Sequence, residues 1–386
     1  MSKLILENCS VLFPREERME KLDVGISDGK ITQVGSVSGL DGETRKIDLN
    51  GAYLAPGFID LQVNGGNGVD FLTCGAEDVQ RSDAFWLEHG TTSYLGTVIT
   101  QEPESMNRAI RTLSRAEASA LLGIHVEGPF LSREKRGTHN PKHLKKPCHD
   151  TFEQIVGVCK AELSLFTFAP ELEGAGELLD WIESIGATPS IGHSNASYDT
   201  VGEFLERGVD SFTHLFNGMK GFHHRNPGTV GAALDSEASV GLIADGLHLH
   251  PAAVRLVNKV KGPDHLYLVT DAIAAAGMAD GEYVLGDQQI IVEAGLARLE
   301  DGTIAGSTLT METALENFIE FTGVNLTRAI KAVTINPARL LQADGEIGSM
   351  EKGTRADLVV FDEEFNINYT IVRGEVVFES GDKDQK

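Results

Sequence analysis

The chain has 386 residues, 41% hydrophobic and 6% aromatic, which allows a sizeable core and excludes a disordered polymer. Its formal net charge of -24 opposes nonspecific binding to nucleic acid or to an anionic membrane. No run approaches the ~18 apolar residues of a membrane span and no basic-then-apolar leader opens the chain.

A cytoplasmic location is therefore expected. Cys9, Cys74, Cys148 and Cys159 are scattered, so neither a disulfide framework nor a thiolate metal site is indicated, and they read as mostly buried free thiols. Disorder is expected only over residues 381–386.

The first fifty residues read as β: Lys3–Glu7, Ser10–Phe13, Leu22–Ile26 and Lys30–Val34, with a turn at Ser27-Asp28-Gly29. The last thirty do the same, with strands at Ala356–Phe361, Tyr369–Val372 and Glu375–Phe378. Two β-rich ends around a mixed middle point to one small sheet module built from both termini, residues 1–52 and 345–386.

Between them, over 53–344, apolar runs alternate with helix-period stretches, the pattern of repeated βα units. Eight strands are predicted near 53–61, 92–98, 121–127, 163–169, 187–192, 209–214, 240–245 and 266–271. Helices follow from Met106, Ile110 and Leu113, and from Phe152, Ile155, Val156 and Cys159, at helical spacing. Ser197 caps another that stops at Gly208, and Pro251 opens one that stops near Gly262. Eight such units in a chain longer than the ~250 residues of a typical barrel favour an α/β fold with a closed (β/α)8 TIM barrel. The Gly65-Gly66-Asn67-Gly68 stretch lacks the Lys-Ser/Thr of a phosphate loop and the spacing of a dinucleotide fingerprint, and reads as a flexible loop.

Four of the strands end in polar residues: Glu127 after Leu-Gly-Ile-His-Val, His193 after Ser-Ile-Gly, His214 after Ser-Phe-Thr and Asp271 after Leu-Tyr-Leu-Val-Thr. Barrel active sites sit at the C-terminal tips of the strands. One carboxylate and two imidazoles suit a hydrolytic divalent cation, Zn2+ first, with Fe, Co, Ni or Mn able to use the same donors. Asp271 is then the general base; its bland alternative is a helix-capping aspartate. The segment from Asn217 to Gly228 gathers Lys220, His223, His224 and Arg225 in an acidic chain, which reads as an anion site or as a solvated loop. His125 and His89 are assigned packing or hydrogen-bonding roles.

With His-Val-Glu-Gly-Pro-Phe-Leu (125–131), Gly-Thr-His-Asn-Pro (137–141), Gly-His-Ser-Asn-Ala (192–196), Thr-His-Leu-Phe-Asn-Gly-Met (213–219), Ala-Asp-Gly-Leu-His (244–248) and Val-Thr-Asp-Ala (269–272), the chain resembles the sugar-phosphate deacetylases of the amidohydrolase superfamily. The resemblance implies a metal-dependent barrel plus a small β-sandwich from both termini, acting on N-acetyl-D-glucosamine 6-phosphate. It implies Glu127, His193 and His214 as metal ligands and Asp271 as acid/base. Thr138 and His139 become substrate contacts, with His139 helping to polarise the acetyl carbonyl. Asn217, Gly218, Arg225 and His248 become contacts to the sugar phosphate, and Ile304, Ala305 and Gly306 a backbone contact to the sugar. A homodimer in which Arg225 reaches the neighbouring site is also implied.

Where many amidohydrolases carry His-x-His, this chain has Gln62 and Asn64. Neutral amides are poor zinc ligands, so a single cation per subunit is expected. The alternatives are the epimeric N-acetylgalactosamine 6-phosphate as substrate, another cyclic-amide or aminoacyl amidohydrolase, and a non-catalytic scaffold.

Overall fold

The computed structural model describes residues 3–39 and 44–381, so most of the terminal stretch expected to be disordered, 382–386, lies outside the described residues. Eight parallel strands form one sheet: β1 (Phe58–Val63), β2 (Thr91–Ile99), β3 (Leu121–Glu127), β4 (Leu163–Phe168), β5 (Thr188–Ile191), β6 (Ser211–Phe212), β7 (Ser239–Leu242) and β8 (Leu266–Leu268). Each pairs with its neighbour in sequence. β1 and β2 are buried along their entire length, as strands covered by helices on one side and closed on themselves on the other must be. Closure comes at the tips. The amide of Asp271 donates to the Gln62 carbonyl at 2.9 Å, and that of Asn64 to the Ala272 carbonyl at 2.8 Å, joining the first strand to the eighth.

The outer helices are α1 (Ala76–Glu88), α2 (Pro103–Leu113), α3 (His149–Val156), α4 (Ala175–Ser184), α5 (Tyr198–Glu206), α6 (Gly228–Asp235), α7 (Pro251–Lys261) and α8 (Met311–Thr322). In α2 the buried residues Met106, Ala109, Ile110 and Leu113 make the expected stripe. Ser197 caps α5 by accepting from the amide of Thr200 at 3.0 Å. Among the described residues no helix is long and apolar enough to cross a membrane.

The terminal strands form a second eight-stranded sheet, in which Lys3–Phe13 pairs with Arg18–Ser27 on one side and with Arg45–Asp48 and Tyr53–Pro56 on the other. Here the structure corrects the reading of 53–61 as one barrel strand. Tyr53–Pro56 pairs with Leu358–Phe361 in the terminal sheet, and only Phe58 onward belongs to the barrel. The apolar run is continuous because it serves two cores. In Leu358-Val359-Val360-Phe361, period-two alternation sends Leu358 and Val360 into the terminal core and Val359 and Phe361 against the barrel.

The structure departs from the sequence reading at three further points. Gly65–Gly66 pairs with Val69–Asp70 in a tight hairpin, and the amides of Asn67 and Gly68 donate to the carbonyls of Ala276 and Ala274 at 2.8 Å each, so this segment is packed rather than loose. A three-stranded antiparallel sheet, Gly281–Leu285, Gln288–Glu293 and Leu296–Arg298, follows β8 and was not anticipated. Finally, Cys9 and Cys159 are buried and Cys74 partly so, but Cys148 is exposed. Burial pushes the Cys9 and Cys74 thiols up to about 12.

Candidate active site

The strands expected over 209–214 and 266–271 are regular only to Phe212 and Leu268, and the candidate functional side chains follow in the turns. Glu127 is the last residue of β3 itself. His193, His214 and Asp271 have φ of 46°, 28° and 51°, in the left-handed region that few residues other than glycine occupy. Outliers of this kind cluster where the surrounding structure fixes them for function.

The result is a compact cluster. One oxygen of Glu127, Oε1, lies 3.0 Å from His214 Nε2, 3.2 Å from His193 Nε2 and 3.3 Å from Gln62 Nε2. The other, Oε2, lies 3.8 Å from His139 Nε2, which is itself 3.3 Å from His193 Nε2. The sequence marks His139 as a substrate contact, yet its ring nitrogen stands among the prospective ligands. Donor atoms of Glu127, His139 and His193 all fall within 4.8 Å of one another.

The donor set fits a divalent cation on grounds internal to the fold. His193 Nδ1 faces the Lys135 carbonyl at 2.8 Å and must donate to it, so in the neutral ring Nε2 carries a lone pair aimed at a carboxylate oxygen and at another imidazole nitrogen. Lone pairs turned on one another repel unless a positive charge lies between them. The Nδ1 atoms of His139 and His214 are buried without a partner among the described residues.

Without a cation, the titration of these groups follows their surroundings. Burial disfavours the Glu127 carboxylate, but its contacts with His193 and His214 outweigh that and hold it well below the usual range. Burial, reinforced by the neighbouring His193, lowers His139 to about 3. For His214 burial acts downward, yet the Glu127 contact raises it overall. Burial and the Glu127 charge raise Asp271.

Asp271 is aimed by the two amides that replace the His-x-His pair. Asn64 Nδ2 donates to its Oδ1 at 2.8 Å and Gln62 Nε2 to the same oxygen at 3.1 Å, while Gln62 also faces Glu127. Both donors load one oxygen. Asp271 Oδ2 receives no hydrogen bond from the described residues. Beneath it, the fully buried Asp60 accepts from Thr270 Oγ1 at 2.5 Å and from the Gln62 amide at 3.1 Å, tying β1 to the turn after β8.

A cavity of about 260 Å³ opens above this cluster, lined among others by Asn64, Thr138, His139, Asn217, Gly218, His248, Asp271, Ile304 and Gly306. Gly218 has φ 60° and a Cβ there would lie 2.5 Å from His193 Nδ1; at Gly306, φ 61°, one would lie 2.7 Å from the Asp271 carbonyl. Neither position admits a side chain. His248 Nδ1 pairs with Asp245 Oδ2 at 2.7 Å, which fixes the ring.

Two expected contacts are not brought together. Ala305 is buried, its amide donating to the Ala297 carbonyl at 3.0 Å, and it does not line the cavity. Arg225 is exposed, with Nη1 2.7 Å from His224 Nε2, outside the cavity of its own chain. His125 packs inside the barrel beneath the cluster with Nε2 2.8 Å from Thr167 Oγ1, and His89 lies 2.5 Å from Glu312 Oε1, so neither joins the donor set.

Sequence reasoning missed Ile99, Leu285 and Thr303, which also line the cavity. Leu285 and Thr303 come with the added sheet and the segment after it. The signal for the sheet lay in Leu285-Gly286-Asp287-Gln288, a glycine-bearing turn between two β-rich segments.

Comparison with known proteins agrees with this geometry. The pattern of the amidohydrolase family matches residues 53–377. The chain is 37% identical over 350 residues to an N-acetylglucosamine-6-phosphate deacetylase of Bos taurus, covering 86% of this chain and 85% of that protein. It is 34% identical to the enzyme of that name from Bacillus subtilis, with both chains fully covered. Among solved structures, an N-acetylglucosamine-6-phosphate deacetylase from Thermotoga maritima superposes with a TM-score of 0.88 at 37% identity, over 97% of this chain and 100% of that one. A mutant of the Mycobacterium smegmatis enzyme in complex with N-acetyl-D-glucosamine-6-phosphate gives 0.90 at 31% identity, over 98% and 100%.

Proposed function

Because this chain belongs to the amidohydrolase family, we propose that it hydrolyses the acetamide of N-acetyl-D-glucosamine 6-phosphate, giving D-glucosamine 6-phosphate and acetate in amino-sugar catabolism. The observation that carries this reading is the convergence of Glu127, His139, His193 and His214 in one cavity with an aspartate whose free oxygen faces the same space. Divalent-metal dependence is general in the family, and the donor set suits it. Glu127, His193 and His214 would hold the cation, with His139 close enough to join them or to face the substrate carbonyl. Borderline nitrogen and oxygen donors favour zinc. When bound, the cation makes water acidic and polarises a carbonyl.

The protein's own groups do the rest. Asp271 Oδ2 takes the proton of the attacking water and returns it to the amide nitrogen as the C–N bond breaks, while Asn64 and Gln62 hold Oδ1. Their amides occupy the positions of a second metal's ligands, so one cation per subunit is the composition we favour. Asn217, Gly218 and His248 receive the sugar phosphate, and Thr138 with the backbone of Ile304 and Gly306 flanks the ring. Arg225, exposed and outside its own cavity, would complete the phosphate site of a second subunit in a cytoplasmic homodimer.

Purified protein, stripped by chelation and reloaded with one metal at a time, would be assayed for acetate release. The panel would be N-acetylglucosamine 6-phosphate, its galactosamine epimer and the unphosphorylated sugar. We expect cation-dependent release, fastest with the glucosamine phosphate. Release that survives exhaustive chelation unchanged would refute the metal role, and faster turnover of the epimer would reassign the substrate.

A further inference from the structure

The cavity is chemically divided, and the division says where the acyl group goes. Groups fit for a sugar phosphate follow β6 and β7: Asn217, Gly218 and His248. On the opposite side, above β2, the wall is apolar. It is made by Ile99 at the tip of β2 and Leu285 at the end of the first strand of the added sheet, 9% and 5% exposed.

Ile99 is the register partner of Glu127 across the β2–β3 ladder, and it shares the inner face with Thr97, whose Oγ1 lies 3.4 Å from His125 Nδ1. It therefore stands beside the donor cluster. The turn after Leu285 packs on it, since a Cβ on Gly286 would be 3.4 Å from Ile99 Cδ1.

That turn is pinned at several points. The Gly286 amide donates to Asp70 Oδ2 at 2.8 Å. Asp287 Oδ2 meets Asn140 Nδ2 at 3.0 Å, Lys142 Nζ at 2.7 Å and His143 Nε2 at 3.2 Å, and Gln288 Nε2 donates to the Thr138 carbonyl at 3.2 Å. A wall so fastened has little room to retreat.

We propose that Ile99 and Leu285 are the specificity-determining wall for the acyl group, receiving the methyl of an acetamide and excluding longer acyl chains. The inference rests on the deacetylase reading. With the sugar phosphate held at β6 and β7 and the scissile carbon at the donor cluster, the substituent on the far side of the carbonyl points at these two side chains. Methylene discrimination by an apolar pocket amounts to roughly ten- to two-hundredfold.

The test is kcat/KM of cation-loaded protein on the N-acetyl, N-propionyl and N-butanoyl glucosamine 6-phosphates, for wild type, Ile99→Val and Leu285→Ala. Ratios within one protein cancel differences in metal loading. We expect wild type to lose about tenfold or more with each added methylene, and Leu285→Ala to raise its propionyl-to-acetyl ratio by about tenfold. Ile99→Val should raise it by a smaller factor, and this ratio decides if Leu285→Ala is inactive. A flat wild-type series, or ratios unmoved in active variants, would overturn the wall assignment alone. A wild-type protein that releases no acetate at all would overturn the deacetylase reading and the wall with it.

Discussion

Replacing Asp271 with asparagine tests its proposed part in proton transfer apart from the rest of the site. Asn64 Nδ2 and Gln62 Nε2 both donate to Oδ1, so the new amide must keep its oxygen there and place its NH2 where Oδ2 stood. The side chain keeps its shape and its two bonds but loses the atom that accepts a proton. General-base catalysis contributes ~10²- to 10⁴-fold, or about 3–5 kcal/mol of barrier. Turnover should drop by that factor while cation content stays at the wild-type level.

Stability should move the other way. Burial and the Glu127 charge raise Asp271, so the cation-free folded protein binds its proton more tightly than the unfolded chain, whose aspartates titrate near ~3.9. Stability is then lost as pH rises from that value through the folded pKa, and the deficit persists at neutral pH. The neutral amide of the Asp271→Asn variant carries no such penalty. Acetate release, elemental analysis and the Tm of the cation-free protein, measured together, test the argument. Turnover within about threefold of wild type would remove Asp271 from proton transfer, and a markedly lower Tm would show that its charge is needed for folding.

Arg225→Ala should raise KM for the phosphorylated sugar with little change in Tm, because the side chain is exposed and bonded only locally; an unaltered preference for phosphorylated over plain sugar would contradict its role. Asp287→Ala should cost only about 1 kcal/mol of stability, since the carboxylate and its Lys142 partner are partly exposed, yet it should loosen the Gly281–Arg298 sheet. A several-fold rise in KM and new protease cuts within 281–298 are the expected signs, and an unchanged KM with an unchanged digest would count against the anchoring role. Asp60 is pushed up to about 7 by burial, against the hydrogen bonds from Thr270 and Gln62. Its folded pKa exceeds the unfolded one, so the wild type should lose stability relative to Asp60→Asn as pH rises from ~5 to ~8. Urea unfolding across that range would read it, and a constant difference between the two proteins would refute the assignment.

Much of the barrel was legible because period and position carry it. The run ending at Glu127 matches β3 from first residue to last, since every residue is needed to fill a covered strand. What failed had physical causes. Apolar runs at 53–61 and 356–361 face two cores, and local hydrophobicity does not say which core a residue joins. At His214 and Asp271 a left-handed backbone turn, invisible to periodicity, ends the regular strand and sets the direction of the side chain. His139 lies on a loop, so its approach to Glu127 is set by long-range packing, and no spacing along the chain announces it. Arg225 illustrates the reverse: its charge was plain in the sequence, while the fold places it outside the cavity of its own chain.

The barrel's last seam runs through the main chain of Asp271, the aspartate we propose as proton carrier. The same peptide group that stitches the eighth strand to the first, Asp271 amide to Gln62 carbonyl, carries the carboxylate, and the side chain of Gln62 then steadies that carboxylate from across the join. Any widening of the rim would misdirect the proton carrier before the cylinder itself came apart. Loss of activity on mild heating or in low denaturant should therefore precede global unfolding.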